Sequence, residues 1–123
     1  MEYAYRAMGE ALTDSNYVAS LFGINTDAVI KHIEALMKHL QYPADFFEKP
    51  TVFKIDEHGN RKPSPPMYLI TKEGFELLVD CRPDEYHANH IETLRAEFKR
   101  VELDIEANPG FVEFHDFFLP NNK

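Results

Sequence analysis

Residues 13–40 read TDSNYVASLFGINTDAVIKHIEALMKHL, and the fold turns on how this stretch is read. Thr13, Asp14 and Ser15 all carry side-chain oxygens that accept from the free amides at a helix N-terminus. Tyr17, Val18, Leu21 and Phe22 follow at helical spacing, and Gly23 ends the run as a residue that takes positive φ at little cost. A second apolar stripe, Val29, Ile33, Leu36 and Leu40, is widened by Ile30 and Met37, with Thr26 or Asp27 expected to cap it. Only Gly23-Ile24-Asn25 separates the two helices, which is the length of a helix-turn-helix connection. Ala19 is small enough for the second helix to cross closely, and Phe22, Ile24 and Val29 surround the corner. His32 stands where a buried aliphatic is common, with Ile33 beside it. The same packing would also serve an αα-corner with no DNA role.

Beyond residue 46 the period changes. Thr51–Ile55 and Met67–Ile70 are β-branched and aromatic runs, bounded by prolines or turn residues. Between them lies the polar segment 56–66, with Gly59-Asn60 near its middle. The spacing predicts a hairpin with a long tip, paired only at its base because of the prolines at 63, 65 and 66. Thr71 then caps a helix from Lys72 to about Asp80, which Arg82-Pro83 breaks. A long helix is predicted from about Asp84 to Glu106, stopped by Asn108-Pro109-Gly110. Ile91, Leu94, Phe98, Val101 and Ile105 recur at alternating intervals of three and four, a heptad seam. Such a seam packs on its own domain or forms the interface of a homodimer, which is the expectation adopted here. The sequence is thus read as one α+β domain over residues 1–107, a winged helix-turn-helix with a β-hairpin wing and a long C-terminal helix. The tail, 108–123, is acidic and carries Phe111, Phe114, Phe117 and Phe118, too much apolar surface to leave in water. It is expected to pack on the domain or on a partner.

Composition limits the function classes. No apolar run reaches the length needed to span a bilayer, and Glu2, Arg6 and Glu10 interrupt any signal-peptide pattern, so a cytoplasmic protein is expected. The single cysteine, Cys81, cannot form an internal disulfide. Cys81, His87 and His90 fall short of the paired ligand motifs of structural zinc. No Ser-His-Asp context, glycine-rich phosphate loop or metalloprotease motif occurs, and no carboxylate pairing is visible in the spacing. The expectation is a binding protein that is not an enzyme and uses no cofactor. Thirteen Lys and Arg stand against twenty-one Asp and Glu, a formal charge of −8, spread evenly over residues 1–80 and 81–123. Any contact with DNA must therefore come from a local basic patch on an acidic body.

If the second helix enters a major groove, Asn25, Thr26, Lys31 and His32 are its candidate reading residues. Asn25 can pair with adenine, and Lys31 with guanine or phosphate. Asp27 suits a helix N-terminus but is repelled by phosphate. On the hairpin, Arg61 and Lys62, with Lys54 and His58, are the candidates for backbone contact.

Three stretches are similar to the Rha-type phage regulatory proteins. They are Thr13–Ser15 with Val18-Ala-Ser-Leu-Phe-Gly23 and Asp27–Ile33, then Phe53–Arg61, then Met67-Tyr-Leu-Ile-Thr-Lys-Glu-Gly-Phe75. In that family the first helix likewise ends in Phe-Gly, the second begins with His-Asp and a Val, and a Tyr-Leu-Thr-x-x-Gly-Phe signature follows the hairpin. The resemblance covers about residues 12–104. It departs ahead of Asp27, where the family often carries basic residues and a His but this chain has Ile24, Asn25 and Thr26. It implies a phage or prophage regulator that binds double-stranded DNA. The alternative is an antirepressor-like or host-interference module that meets a protein through the same fold.

Overall fold

The computed structural model describes residues 2–50, 53–63, 67–82 and 84–109, with the backbone alone at 53–54 and 62–63. The chain is α+β, with four helices on a small antiparallel four-stranded sheet and a separate two-stranded ribbon. In chain order the elements are β1 (Tyr5–Ala7), β2 (Glu10–Asp14), α1 (Ser15–Phe22), α2 (Thr26–Met37), β3 (Phe47–Glu48), β4 (Phe53–Ile55), β5 (Arg61–Pro63), β6 (Leu69–Thr71), α3 (Lys72–Cys81) and α4 (Ala88–Ala107). A 3-10 turn, Pro43–Asp45, lies between α2 and β3. The sheet runs β1-β2-β6-β3, and among the described residues β4 pairs only with β5.

The corner forms where it was expected. Asp14 is the cap chosen from the three candidates: its carboxylate accepts from the Tyr17 amide at 2.8 Å. Gly23 closes α1 at φ 69°, and its amide donates to the Ala19 carbonyl. Asn25, rather than Thr26 or Asp27, caps α2, its side-chain oxygen accepting from the Asp27 amide at 2.7 Å. The helix therefore begins one residue earlier than anticipated. Val18, Val29 and Ile33 are fully buried at the crossing.

Two expectations about strands are corrected. Leu12 and Thr13 were read as the approach to a helix but belong to β2. That strand forms a hairpin with β1 in which Ala7 faces Glu10. Met8 and Gly9 span the turn with φ of 52° and 77°, the two positive values a type I′ turn requires. Secondly, among the described residues the 67–70 run does not pair with 53–55. Phe53, Lys54 and Ile55 face Pro63, Lys62 and Arg61 across a short local turn. Asp56 holds that turn, its carboxylate accepting from the amides of His58 at 2.9 Å and Asn60 at 2.8 Å. Leu69 and Ile70 are drawn instead to the inner position of the sheet. There Ile70 enters the main core and Leu69 joins Ala7 and Leu12 in a smaller cluster on the opposite face.

The seam of α4 is filled within the chain. Leu94 and Phe98 are fully buried, Val101 is nearly so, and Ile91 and Ile105 pack half-buried against the same core. A dimer of this chain would have to use another face. The helix also starts at Ala88, later than expected, because Tyr86 turns inward and stacks edge-on against Phe22 at 4.9 Å. The aromatic tail expected to pack on the domain or a partner lies outside the described residues from 110 onwards. Among the described residues, no helix is long and apolar enough to cross a membrane.

Two glycines make different demands. A Cβ on Gly23 would meet nothing within 4 Å, so a side chain there costs only backbone strain. One on Gly74, inside α3, would come within 2.5 Å of the Phe46 carbonyl oxygen. That oxygen already accepts from the Thr71 amide at 3.1 Å and hydroxyl at 3.3 Å, so it cannot retreat cheaply. Gly23→Val should lower stability by about 1–3 kcal/mol, since a β-branched residue resists positive φ. Gly74→Ala should cost more than Gly23→Ala, although helix propensity alone favours alanine. Chemical denaturation of the three variants measures the order.

Candidate functional site

The candidate site has two parts, the outer face of α2 and the ribbon. Asn25 is exposed at the helix start, with its side-chain oxygen committed to the cap, leaving its amide nitrogen as the group that faces outward chemistry. Thr26 is half-buried in the first turn, and Lys31 is exposed one turn further on. Lys38, seven residues after Lys31, extends the same face and is also exposed, as are Asp27 and Glu34. The outer face thus offers two cations and two acids, each lysine standing four residues after an acid. The i to i+7 spacing of Lys31 and Lys38 was available in the sequence and went unused.

His32 does not belong to that face. Its side chain is 9% exposed and turns toward the α3–α4 connection. Nδ1 lies 3.1 Å from the Tyr86 hydroxyl, and Nε2 lies 3.7 Å from Glu85 Oε1. Burial, reinforced by the Arg82 charge and opposed by Glu85, holds the imidazole below its ordinary pKa. The reason is helical geometry: Val29, Ile33 and Leu36 face the core, and His32 lies on the flank of that stripe, toward Tyr86.

Lys49 Nζ stands 5.8 Å from the centre of the Tyr68 ring, and the Tyr68 hydroxyl donates to Glu34 Oε2 on α2 at 3.1 Å. Burial, with the Glu34 contact behind it, raises the Tyr68 pKa, so this hydroxyl stays a donor. Neither Lys49 nor Tyr68 stood out in the sequence, because the contact spans thirty-four positions. Arg61 is exposed on β5, opposite Ile55, which is 64% exposed. Lys62 is placed by its backbone directly opposite Lys54. Like charges in opposed positions disfavour a two-stranded pair unless an anion lies nearby.

Several cations elsewhere are engaged by acids. Arg95 makes a two-pronged contact to Glu76, at 2.6 and 2.7 Å, and a third to Glu92. The guanidinium holds the Glu76 carboxyl below its usual range. Lys72 meets Glu102 at 3.1 Å, and Arg100 lies 3.7 Å from Glu2. Among the described residues, no group of three or more His, Cys, Asp or Glu side chains is arranged to hold a metal. Clefts of about 240 and 190 Å³ flank the sheet, sharing Glu10 and Thr71; neither includes a candidate DNA-contact residue, and Ile105 of the α4 seam lines the former.

No family model matches the chain. A protein of Haemophilus influenzae, described only as uncharacterized, is 33% identical over 112 residues. The match takes in 86% of this chain and 60% of that protein, so the chain spans under two thirds of the relative's length. No solved structure matches.

Asn25 has a structural duty that any binding assay must separate from recognition. Asn25→Ala should cost about 1 kcal/mol through the lost cap, whereas Asn25→Asp or Asn25→Ser should retain most of it. Thermal or chemical denaturation of the three variants reads this directly.

Proposed function

We propose that this chain is a phage or prophage regulatory protein that binds double-stranded DNA as a winged helix-turn-helix, with α2 as the reading helix and the β4–β5 ribbon as the wing. The observation that carries the reading is the ribbon register. Lys54 faces Lys62 and Arg61 follows, so three of the six strand positions are cationic on a chain of formal charge −8. A free ribbon gains nothing from opposed lysines, but one lying along a phosphate backbone does. The α1–α2 corner supports the same reading. So does the resemblance to Rha-type regulators. Asn25 and Lys31 are then the base-reading side chains, Thr26 and Lys38 flank them, and Arg61 and Lys62 touch the backbone.

A second reading rests on the charge of α2 itself. Asp27, Lys31, Glu34 and Lys38 sum to zero, which suits a protein partner of the antirepressor or host-interference kind better than a polyanion. The corner would then be a scaffold and the acidic body the recognition surface.

Retention of duplex DNA across a salt series separates the two. DNA binding should appear at low salt and fade with a shallow slope, because few counterions are released. Replacing Arg61 and Lys62 together by Ala should weaken binding on every sequence alike and reduce the salt slope by about two. Lys31→Ala should cost roughly 1–3 kcal/mol on the preferred sequence and little on random duplex. Absence of retention on any duplex at low salt would reject the DNA reading in favour of the protein-binding one.

A further inference from the structure

We propose that the contact of His32 with Tyr86 is a proton-sensitive latch that sets the pose of α2 and so regulates the proposed DNA interface, a consequence that rests on the DNA reading even though the latch itself does not. The argument begins with the hydroxyl. Tyr86 is 2% exposed, and among the described residues the only hydrogen-bond partner its oxygen has is His32 Nδ1, at 3.1 Å. Burial raises the phenol pKa, so the O–H is retained across the working range. With His32 neutral and its proton on Nε2, the buried O–H donates to Nδ1, while Nε2–H points toward Glu85, 3.7 Å away. The buried phenol hydrogen then has its acceptor.

Protonation removes that solution. An imidazolium carries hydrogens on both nitrogens, so Nδ1 becomes a donor facing a donor. The phenol oxygen can turn to accept, but its own hydrogen is then left buried without an acceptor, which is the costly state for a polar group. The surroundings of His32 do little to relieve this. From the end of α3 comes the positive Arg82; from the connection come Glu85, 40% exposed, and Tyr86 itself. The α2 residues one turn away, Ala28, Val29, Ala35 and Leu36, are uncharged. On α1, Phe22 backs Tyr86, and the His90 ring of α4 stacks edge-on against Phe22 at 5.5 Å, with His87 beyond it.

The latch ties the flank of α2 to the connection between α3 and α4, opposite in sense to the outward-facing Lys31 next to it. Freed, His32 titrates at its ordinary value of about 6.5. Held against Tyr86 it titrates lower, so the latch contributes fully above the ordinary value and is lost as pH falls through it. Acidification therefore loosens α2 from its support.

The test follows the His32 imidazole resonance of the whole chain by NMR from pH 8 to 5. In the wild type it should titrate below 6.5, in Tyr86→Phe and Arg82→Gln it should move up toward that value, and in Glu85→Gln it should move further down. Titration of wild-type His32 at or above 6.5 overturns the latch, and so does a midpoint unchanged by Tyr86→Phe. Should Tyr86→Phe fail to fold, the opposed shifts of Arg82→Gln and Glu85→Gln decide. The regulatory step is read from retention on a random-sequence duplex at low salt, wild type against His32→Gln at the same pH, which cancels the charging of the other histidines. Their ratio should fall by roughly threefold between pH 7.5 and 5.5. A constant ratio with the expected titration overturns the regulation. No retention by either protein at any pH rejects the DNA reading instead, with the imidazole titration still deciding the latch.

Discussion

The pairing of β2 with β6 sets the geometry of everything else in this domain. Leu12, Thr13 and Asp14 face Thr71, Ile70 and Leu69, joining residues almost sixty positions apart in sequence. The ladder continues one step past the strands, where the Ser15 amide donates to the Tyr68 carbonyl at 3.0 Å and the Tyr68 amide donates to Ser15 Oγ at 3.0 Å. Both strands then pass directly into helices, with Asp14 capping α1 and Thr71 capping α3 through the Gly74 amide. There is no loop at either junction in which an angle could be adjusted. Once the two strands are in register, the directions of α1 and α3 follow, and the crossing of α2 over α1 follows from the left-handed corner at Gly23. A slip of one residue would exchange Leu12 and Leu69 for Thr13 and Ile70 across the sheet.

What the sequence made legible was the local part of this arrangement. The caps at Asp14 and Thr71, the stop at Gly23 and the apolar stripe of α2 act within one or two helical turns, and each was readable from spacing. The sheet was not, because its strands are two to five residues long and two of them hide in other patterns. Leu12-Thr13-Asp14 looks like the approach to a helix, being one as well as a strand. Leu69-Ile70 looks like the second half of a hairpin, and only the pull of two apolar clusters on opposite faces takes it into the sheet. Met8-Gly9 lacks the Asn or Asp that usually announces a tight hairpin. The seam of α4 was read correctly as a buried stripe, but an apolar stripe does not say whose surface covers it. Here Val18, Phe75 and Leu78 lie in the same core cluster as Leu94, Phe98 and Val101.

The candidate site divides along the same line. Lys31 was legible as an outward residue because helical phase alone decides it. His32, its neighbour, was not, since its direction depends on Tyr86, fifty-four positions away and drawn inward by Phe22. Asn25 was visible as a polar residue at a helix start, and the structure commits half of its amide group to the cap. On the proposed reading recognition and folding would share that side chain, and a base contact by its nitrogen would be made by a group already held by the cap. Such a group loses little conformational freedom on binding.

Charge gives the remaining constraint. An acidic chain that binds DNA must keep its acids away from the duplex or neutralise them internally, and on the proposed reading the paired residues here would serve that end. Glu76 and Glu92 are gathered by Arg95, Glu102 by Lys72 and Glu2 by Arg100, all on α3, α4 or the N-terminal segment. Glu34 on α2 accepts from Tyr68, and Asp56 accepts from two amides in the ribbon turn. Both are acids on the candidate face whose oxygens already satisfy donors from the protein. At physiological salt, interactions beyond about 8 Å of water are largely screened, so the distant acids weigh less than the formal charge suggests. On the proposed reading, Lys31, Lys38, Lys54, Arg61 and Lys62 stand against Asp27, Glu34, Asp56 and Glu57, five cations to four acids on a chain whose total is negative.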